Sequence, residues 1–232
     1  MKNNPFPIFT TPLPGAVVFD LDGTLIDSAP DLHAATNHGL AQIGRDGITL
    51  EQCRSMIGHG LRKLIELGLD ATGGPVEEPA LERLVAAAFA HYAGHLTDNS
   101  KIYDGVVPVL EALAAAKVPM AVCTNKPVGF SRRILDDLNL TRYFDAIVGG
   151  DSFPVCKPDA AHLLGTLEPL GIAAADAIMV GDSATDVGAA RNAGAPVVLV
   201  SYGYTQIPAA ELKADAVVDN FLELPQAFSA LK

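Results

Sequence analysis

The sequence of 232 residues contains no long apolar run: none of its hydrophobic stretches approaches the ~18 residues that a membrane-spanning helix requires. Its first residues, MKNNPFPIFTTPLPG, also lack the apolar stretch and the small-residue cleavage site of a secretory signal peptide. These two absences argue against a membrane partner and against export, so we expect a protein that works away from membranes.

Cysteine is scarce as well. The three cysteines, Cys53, Cys123 and Cys156, are odd in number and widely separated along the chain. This pattern argues against a disulfide framework and is typical of proteins in a reducing compartment. We therefore predict a cytoplasmic location.

Basic residues are few, since 16 lysines and arginines stand against 27 aspartates and glutamates, which gives a formal net charge of −11. A chain this acidic lacks the basic footprint of a nucleic-acid-binding protein, so we do not expect nucleic acid as a partner. If the substrate is an anion, a metal ion or a few well-placed cations must make the binding site locally positive.

What the sequence does contain is an alternation of short β-rich segments and longer amphipathic segments, beginning at Gly15. Apolar strands that alternate with helices are typical of a parallel sheet covered on both faces, so we predict an α/β protein with a Rossmann-like core. Ligands bind at the carboxyl ends of the strands in such sheets. The predicted strands cover residues 15–22, 118–125, 144–151, 177–183 and 196–203, followed by a shorter one that begins at Asp215.

One interval departs from this alternation. Thr124 follows Asp22 by 102 positions, whereas a crossover between parallel strands needs only about a dozen residues. The interval has the pattern of helices, and we predict that it forms a separate helical cap that closes over the strand ends and expels water. The predicted helices cover 28–43, 50–71 with a break at 58–60, and 79–96. The predicted organisation is an N-terminal extension (1–14), a Rossmann-like core (15–27 plus 98–232) and the inserted cap (28–97).

Two carboxylates lie at the end of the first strand, in VVFDLDGTLIDS. Asp20 and Asp22 project from the same side of an extended chain, and burying them together is costly unless a positive partner neutralises them. A carboxylate at a strand end can act as a nucleophile, so Asp20 is a candidate nucleophile and Asp22 a candidate general acid and base. A hard cation that bridges Asp20 to a phosphate would be the positive partner. The alternative is an ordinary strand-to-turn segment with both carboxylates in solvent.

A second acidic segment, GDSATD, follows the apolar strand AIMV. Asp182 is positioned to join Asp20 on one Mg²⁺ ion, which prefers oxygen ligands. Asp186 would act through a water molecule or by orienting a neighbour, with Ser183 beside it. The alternative is a helix N-cap in which Ser183 or Asp186 accepts hydrogen bonds from backbone amides.

Two further segments can hold an anion. In TNKP, Thr124 and Asn125 present a hydroxyl and an amide at a strand-to-helix turn, which suits an anion cradle. In CKPD, Lys157 can act as a point charge on a phosphate. Taken singly, TNKP is typical of a helix N-cap and Lys157 of a surface lysine. All four segments follow the expected strand ends of one sheet, and this convergence favours a single phosphate-handling site.

The segments FDLDGTLIDS, VCTNKP, CKPD and GDSATD together resemble the four signature motifs of the haloacid dehalogenase-like phosphatase superfamily. The resemblance covers the chain from Gly15 onward, including the cap after the first motif. It implies that Asp20 is phosphorylated during the reaction and that Asp22 is the general acid and base. It implies that Mg²⁺ is held by Asp20, Asp182 and the backbone carbonyl of Asp22. It also implies that Thr124 and Lys157 bind the transferring phosphate of a small anionic phosphate ester.

Several activities share these motifs. Sugar phosphates, nucleotides and pyrophosphate are alternative substrates, and a β-phosphoglucomutase-like phosphomutase or a catalytically silent phosphate sensor would keep the same core. A dehalogenase is disfavoured because its attack on carbon needs neither the acid Asp22 nor a metal ligand such as Asp182. A phosphonate hydrolase needs a cap lysine for a Schiff base, and Lys63 is the only lysine in the predicted cap.

We expect residues of the cap to recognise the leaving group of the substrate. Arg62, just after the break at 58–60, is a candidate for a two-pronged hydrogen bond to the carboxylate of a small phosphorylated acid. His59 is a weaker candidate in the same loop, and the alternative for both is a solvated surface residue. His91 and His95 have the four-residue spacing of a zinc pair, but no glutamate pattern or third ligand accompanies them, so we interpret them as ordinary histidines.

Overall fold

The computed structural model describes residues 13–205 and 207–231. Of the predicted N-terminal extension, 1–14, all but the last two residues lie outside the described residues. The strands are β1 (Ala16–Phe19), β2 (Ile26–Asp27), β3 (Lys101–Ile102), β4 (Met120–Cys123), β5 (Ala146–Val148), β6 (Ala177–Gly181), β7 (Val197–Val200) and β8 (Ala216–Val218). The α-helices are α1 (Ala29–Ala41), α2 (Leu50–Met56), α3 (Gly60–Ala71), α4 (Glu78–Gly94), α5 (Val106–Ala115), α6 (Val128–Asp137), α7 (Ala160–Leu167), α8 (Ala184–Ala193) and α9 (Leu224–Ala230).

The centre of the molecule is a six-stranded parallel sheet in the order β5-β4-β1-β6-β7-β8. Its register pairs Val18 with Ala121 on one side and with Met179 on the other. Alternate residues of β1 enter different hydrophobic clusters, Val17 and Phe19 one and Val18 the other, because successive side chains point to opposite faces of a strand. Both faces are therefore covered, and the predicted α/β Rossmann-like core is confirmed.

The helices α1 to α4 occupy the interval that was predicted to be helical. Helix α1 packs against α4 and α3, and the larger hydrophobic cluster continues from the sheet into these helices, for example to Leu64 and Tyr92. The predicted break is present, since α2 ends at Met56 and α3 begins at Gly60. We use "the cap" below for residues 28–97; its boundaries as a separate subdomain remain a prediction.

A short antiparallel ribbon joins the two ends of the cap, and the sequence patterns did not predict it. Ile26 pairs with Ile102 and Asp27 with Lys101, which brings the chain entering the cap beside the chain leaving it. Each strand of the ribbon has only two residues, too few to show the alternation that identifies a strand. No helix in the described ranges is both long and apolar enough to cross a bilayer.

Candidate active site

Three neighbouring strands of the sheet end in polar residues at one edge. Asp20 follows β1, Thr124 follows β4 and Asp182 follows β6. The carboxyl ends of adjacent parallel strands lie side by side, which explains why residues so distant in sequence meet. Among the described residues, Asp20, Asp182 and Asp186 form a group in which one carboxylate oxygen from each lies within 4.8 Å of the others.

Asp20 is held by a buried lysine. The side chain of Asp20 is only 12% exposed, and its Oδ1 lies 2.9 Å from the Lys157 Nζ. The same oxygen accepts a hydrogen bond of 2.7 Å from the Leu21 amide. Lys157 reaches Asp186 as well, at 2.6 Å. Burial raises the pKa of Asp20 to about 6, although the charge of Lys157 lowers it. Lys157 therefore lies within a row of carboxylates, not on the surface.

Asp22 has a second lysine, and the sequence analysis did not assign it. The Lys126 Nζ donates to both carboxylate oxygens of Asp22, at 2.7 and 2.6 Å, and the Ser28 hydroxyl donates to Oδ1 at 2.5 Å. Burial alone would lower the pKa of Lys126, but the charge of Asp22 raises it above its usual value. Each carboxylate of the pair thus has its own buried ammonium partner.

Asp186 both caps a helix and contacts a neighbouring side chain, two roles that the sequence had offered as alternatives. Its Oδ2 accepts hydrogen bonds from the backbone amide and the hydroxyl of Ser183, at 3.0 and 2.7 Å, which caps α8. Its Oδ1 accepts from Lys157. Both oxygens are therefore engaged, and Asp186 is suited to orient Lys157.

Asp182 is packed tightly against the loop that follows β1. Its Oδ2 accepts from the Tyr204 amide at 2.7 Å, and its Oδ1 accepts from the Thr24 hydroxyl at 3.2 Å. Gly23 has a positive φ of 84°, and a Cβ there would collide with the Asp182 carboxylate. Burial raises the pKa of Asp182 well above its usual value, and the charges of Asp186 and Asp20 raise it further. A bound cation would relieve this crowding of buried negative charge.

The TNKP segment lines the same site. The Thr124 side chain is buried, and its Oγ1 accepts from the Lys126 amide at 3.3 Å. The Asn125 side-chain amide donates to the carbonyls of Lys157 and Gly58, at 3.0 and 3.1 Å. Asn125 therefore ties the core to the break between α2 and α3, and its Oδ1 is buried without a hydrogen-bond partner.

A cavity of about 50 Å³ lies at this edge, between the sheet and the cap. We define the core wall and the cap wall of this cavity by the described residues that line it. The core wall consists of Asp20, Asp22, Thr124, Asn125, Lys126, Pro127, Phe130, Asp182, Ser183 and Tyr204. The cap wall consists of Leu32, Ile57, Gly58, Gly60, Leu61, Leu64, Phe89 and Tyr92.

The structure does not bring Arg62 to the cavity. Its guanidinium pairs with Glu78 at 2.5 Å and with Glu82 at 2.8 Å, and Arg62 lies on the exposed side of α3 because Leu61 and Leu64 occupy the buried side. His59 is exposed and is not among the residues lining the cavity.

The predicted histidine pair lies elsewhere in the cap. The His91 ring stacks on His38 and lies tilted against His95, with ring centroids 4.5 Å apart in each case. The described residues contain no group of metal-ligand geometry that includes these histidines.

Sequence reasoning missed two tyrosines besides Lys126. The Tyr204 hydroxyl accepts from the amides of Ser28 and Ala29, at 2.8 and 3.0 Å, and donates to Asp27 at 2.7 Å, so it fixes the start of α1. The Tyr92 ring lies under the Lys126 ammonium, 5.1 Å from it. The segment SYGY, which follows the strand ending at Val200, was the one available signal for Tyr204.

The fold agrees with comparisons to known proteins. A family model described as haloacid dehalogenase-like hydrolase matches residues 17–200. The chain therefore belongs to the haloacid dehalogenase-like hydrolase family.

Within that family the chain is a phosphatase-like enzyme. It is 40% identical to a phosphoglycolate phosphatase of Agrobacterium fabrum over 216 residues, which cover 93% of each chain. It is 42% identical to a phosphoglycolate phosphatase of Caulobacter vibrioides over 211 residues, which cover 91% of this chain and 89% of the relative. The crystal structure of a predicted phosphoglycolate phosphatase from Haemophilus somnus 129pt superimposes with a TM-score of 0.87 at 31% identity, covering 91% of this chain and 96% of that one.

Proposed function

We propose that the protein is a Mg²⁺-dependent phosphomonoester hydrolase that works through an aspartyl phosphate on Asp20 and prefers 2-phosphoglycolate. The observation that carries this proposal is the row formed by Asp20, Lys157 and Asp186, with Asp182 beside it. Asp20 and Asp182 provide a nucleophile and a second carboxylate on the core wall, and Lys157 provides a buried cation in contact with Asp20. These are the parts that phosphoryl transfer to a carboxylate requires.

Asp20 is oriented for attack by the contacts of its Oδ1. The Leu21 amide and Lys157 both engage that oxygen, which fixes the orientation of the carboxylate. In the first step, a bond forms between one Asp20 carboxylate oxygen and phosphorus while the bond from phosphorus to the ester oxygen breaks. Lys157 opposes the negative charge next to the reacting centre, and the buried position of this ammonium strengthens that effect.

Asp22 handles the protons in both steps. Asp22 enters the first step protonated and gives this proton to the departing oxygen, so the leaving group departs as an alcohol and Asp22 is left as a carboxylate. It then takes a proton from the water that attacks the aspartyl phosphate, which releases inorganic phosphate and restores the Asp20 carboxylate. Ser28 and Lys126 fix the position of the Asp22 carboxylate for this work.

The donor set fits a magnesium ion. Asp20 and Asp182 present hard carboxylate oxygens next to each other, and the Asp22 carbonyl would complete the protein ligands. Asp186 would stay outside the ligand set, where its Oδ1 orients Lys157 and its Oδ2 caps α8. When bound, the ion neutralises charge on the phosphoryl oxygens.

The proposed substrate is supported by the cavity and by the relatives. The cavity of about 50 Å³ suits a small ester, and the relatives named phosphoglycolate phosphatase are about 40% identical over most of the chain. The other core-sharing activities, including the phosphomutase, have no comparable observation in their favour.

The experiment is phosphate release from a panel of small esters with saturating Mg²⁺, compared by kcat/KM. The panel contains 2-phosphoglycolate, glucose 1-phosphate, sugar 6-phosphates, a nucleotide and pyrophosphate. We expect a preference of at least about a hundredfold for 2-phosphoglycolate, which corresponds to ~2.7 kcal/mol of differential transition-state binding. A flat profile would contradict the substrate, and movement of phosphate between sugar positions without release would contradict hydrolysis.

A further inference from the structure

The two walls of the cavity differ in charge. Among the described residues that line it, the cap wall has no charged side chain, and the core wall has one cation, Lys126, among three aspartates. Arg62 is held by glutamates outside the cavity. If the leaving group of the substrate carries a negative charge, Lys126 is therefore the lining side chain that can oppose it.

Lys126 retains hydrogen-bonding capacity while it is bound to Asp22. Its Nζ donates to the two carboxylate oxygens of Asp22, and an ammonium group has three N–H donors. One donor therefore remains. The side chain of Lys126 is buried and its ammonium lies 5.1 Å from the Tyr92 ring centroid, so its charge is poorly screened by solvent.

Tyr92 offers a second donor in the same cavity. The residue is 1% exposed, and its hydroxyl makes no hydrogen bond of good geometry with the described residues. Burial raises the pKa of Tyr92 to about 12, although the charge of Lys126 lowers it, so the hydroxyl keeps its proton near neutral pH. A buried hydroxyl without a partner is costly, and a polar ligand would satisfy it.

We propose that Lys126 and the Tyr92 hydroxyl together bind a carboxylate on the leaving group of the substrate. This inference rests on the proposed function and defines the substrate class more narrowly. Asp22 must lie within hydrogen-bond reach of the ester oxygen that it protonates, and Lys126 is hydrogen-bonded to Asp22. An anion bound by Lys126 is therefore close to that oxygen, so the carboxylate is separated from the phosphate ester by a short spacer, as in phosphorylated 2-hydroxy acids.

The test compares two substrates of similar size, 2-phosphoglycolate and 2-hydroxyethyl phosphate, which has a neutral alcohol in place of the carboxylate. The measured quantity is the ratio of their kcat/KM values, because general damage to Asp22 lowers both values and cancels in the ratio. We expect a ratio of about a hundred or more in the natural protein. Lys126→Met should lower it to near one, Lys126→Arg should keep most of it, and Tyr92→Phe should lower it about tenfold.

The matched control is Lys63→Met, which removes a cap lysine that pairs with Glu66 outside the cavity and should leave the ratio unchanged. Thermal melts establish that each variant is folded, and Tyr92→Phe tests the subsite even if Lys126→Met fails to fold. A ratio that stays near one hundred in Lys126→Met, or in Tyr92→Phe when Lys126→Met is unfolded, would contradict the subsite but leave the proposed substrate standing. A ratio near one in the natural protein would contradict both.

Discussion

The core wall and the cap wall face the same cavity but are built from different chemistry. The core wall carries carboxylates, an ammonium and hydroxyls, and every charged group on it is held by hydrogen bonds. The cap wall carries aliphatic and aromatic side chains and two glycines. From this difference we infer a division of labour in which the core performs the chemistry and the cap excludes water and limits the size of the substrate.

The cations of the two regions differ in the same way. Lys157 has 1% of its side chain exposed and lies between Asp20 and Asp186, whereas Arg62 has 40% exposed and pairs with glutamates that are more exposed still. Exposed ion pairs contribute roughly 0–1 kcal/mol. Removing one partner of a buried pair costs about 3–5 kcal/mol, because the other charge is left buried alone.

The largest expected effect comes from Asp20→Asn, which removes the attacking oxygen from the core wall. We expect kcat to fall by about 10⁴-fold or more with saturating Mg²⁺, since loss of a covalent nucleophile has effects of that order. The measurement is steady-state phosphate release from 2-phosphoglycolate. Retention of more than trace activity by the folded variant would contradict the covalent route.

The next prediction compares how much the buried cation Lys157 and the exposed cation Arg62 contribute to the stability of the fold. Lys157→Met should lower the free energy of unfolding by about 3–5 kcal/mol, because Asp20 and Asp186 lose their shared partner. The matched change, Arg62→Met, should leave the free energy of unfolding nearly unchanged, because solvent screens its exposed ion pairs, and should leave kcat/KM within about twofold. Urea unfolding measures both variants. Equal losses would contradict the contrast between buried and exposed cations.

The contrast between these residues also marks how far the sequence could predict the site. The convergence of Asp20, Thr124 and Asp182 followed from strand ends in a parallel sheet, a rule that needs no side-chain detail. Helical periodicity around Arg62 could not predict where its guanidinium lies, because Glu78 and Glu82, with which Arg62 pairs, belong to another helix. The position of a long surface side chain depends on such tertiary contacts.

Lys126 was missed for a related reason. It stands inside TNKP, where the pattern of a helix start accounts for every residue, and its partner Asp22 is distant in sequence. The ribbon of β2 and β3 was missed because its pairing is long-range and its strands are two residues long. Strand and helix patterns therefore predicted the scaffold, whereas contacts between distant segments required the structure.

Metal binding at the core wall is expected to have a smaller effect on the stability of the folded protein. Mg²⁺ at a hundred times its dissociation constant should stabilise the folded protein by about 2.7 kcal/mol, because it relieves the repulsion between Asp20 and Asp182. Thermal melts with Mg²⁺ and with a chelator measure this shift, and the chelator should abolish activity. Asp182→Asn should remove the response of the melting temperature to Mg²⁺. An unchanged response in that variant would contradict the proposed ligand set.

The smallest effect concerns the cap wall. Ile57→Ala enlarges the cavity without removing a charge, so kcat/KM should fall by about tenfold for every ester in the panel alike. Parallel assays with 2-phosphoglycolate and 2-hydroxyethyl phosphate check this. If kcat/KM fell only for 2-phosphoglycolate, the cap wall would be recognising the charge of the leaving group. That result would contradict the proposed division of labour between the two walls.

The central claim, that the core wall carries a covalent reaction divided between Asp20 and Asp22, is tested most directly by trapping the intermediate. Asp22→Asn should still react with p-nitrophenyl phosphate, whose good leaving group needs little protonation, but should hydrolyse the aspartyl phosphate slowly. Acid quenching followed by peptide mass analysis is predicted to find one phosphoryl group on Asp20. Release of p-nitrophenol with no modified Asp20, or with the phosphoryl group on another residue, would contradict the account.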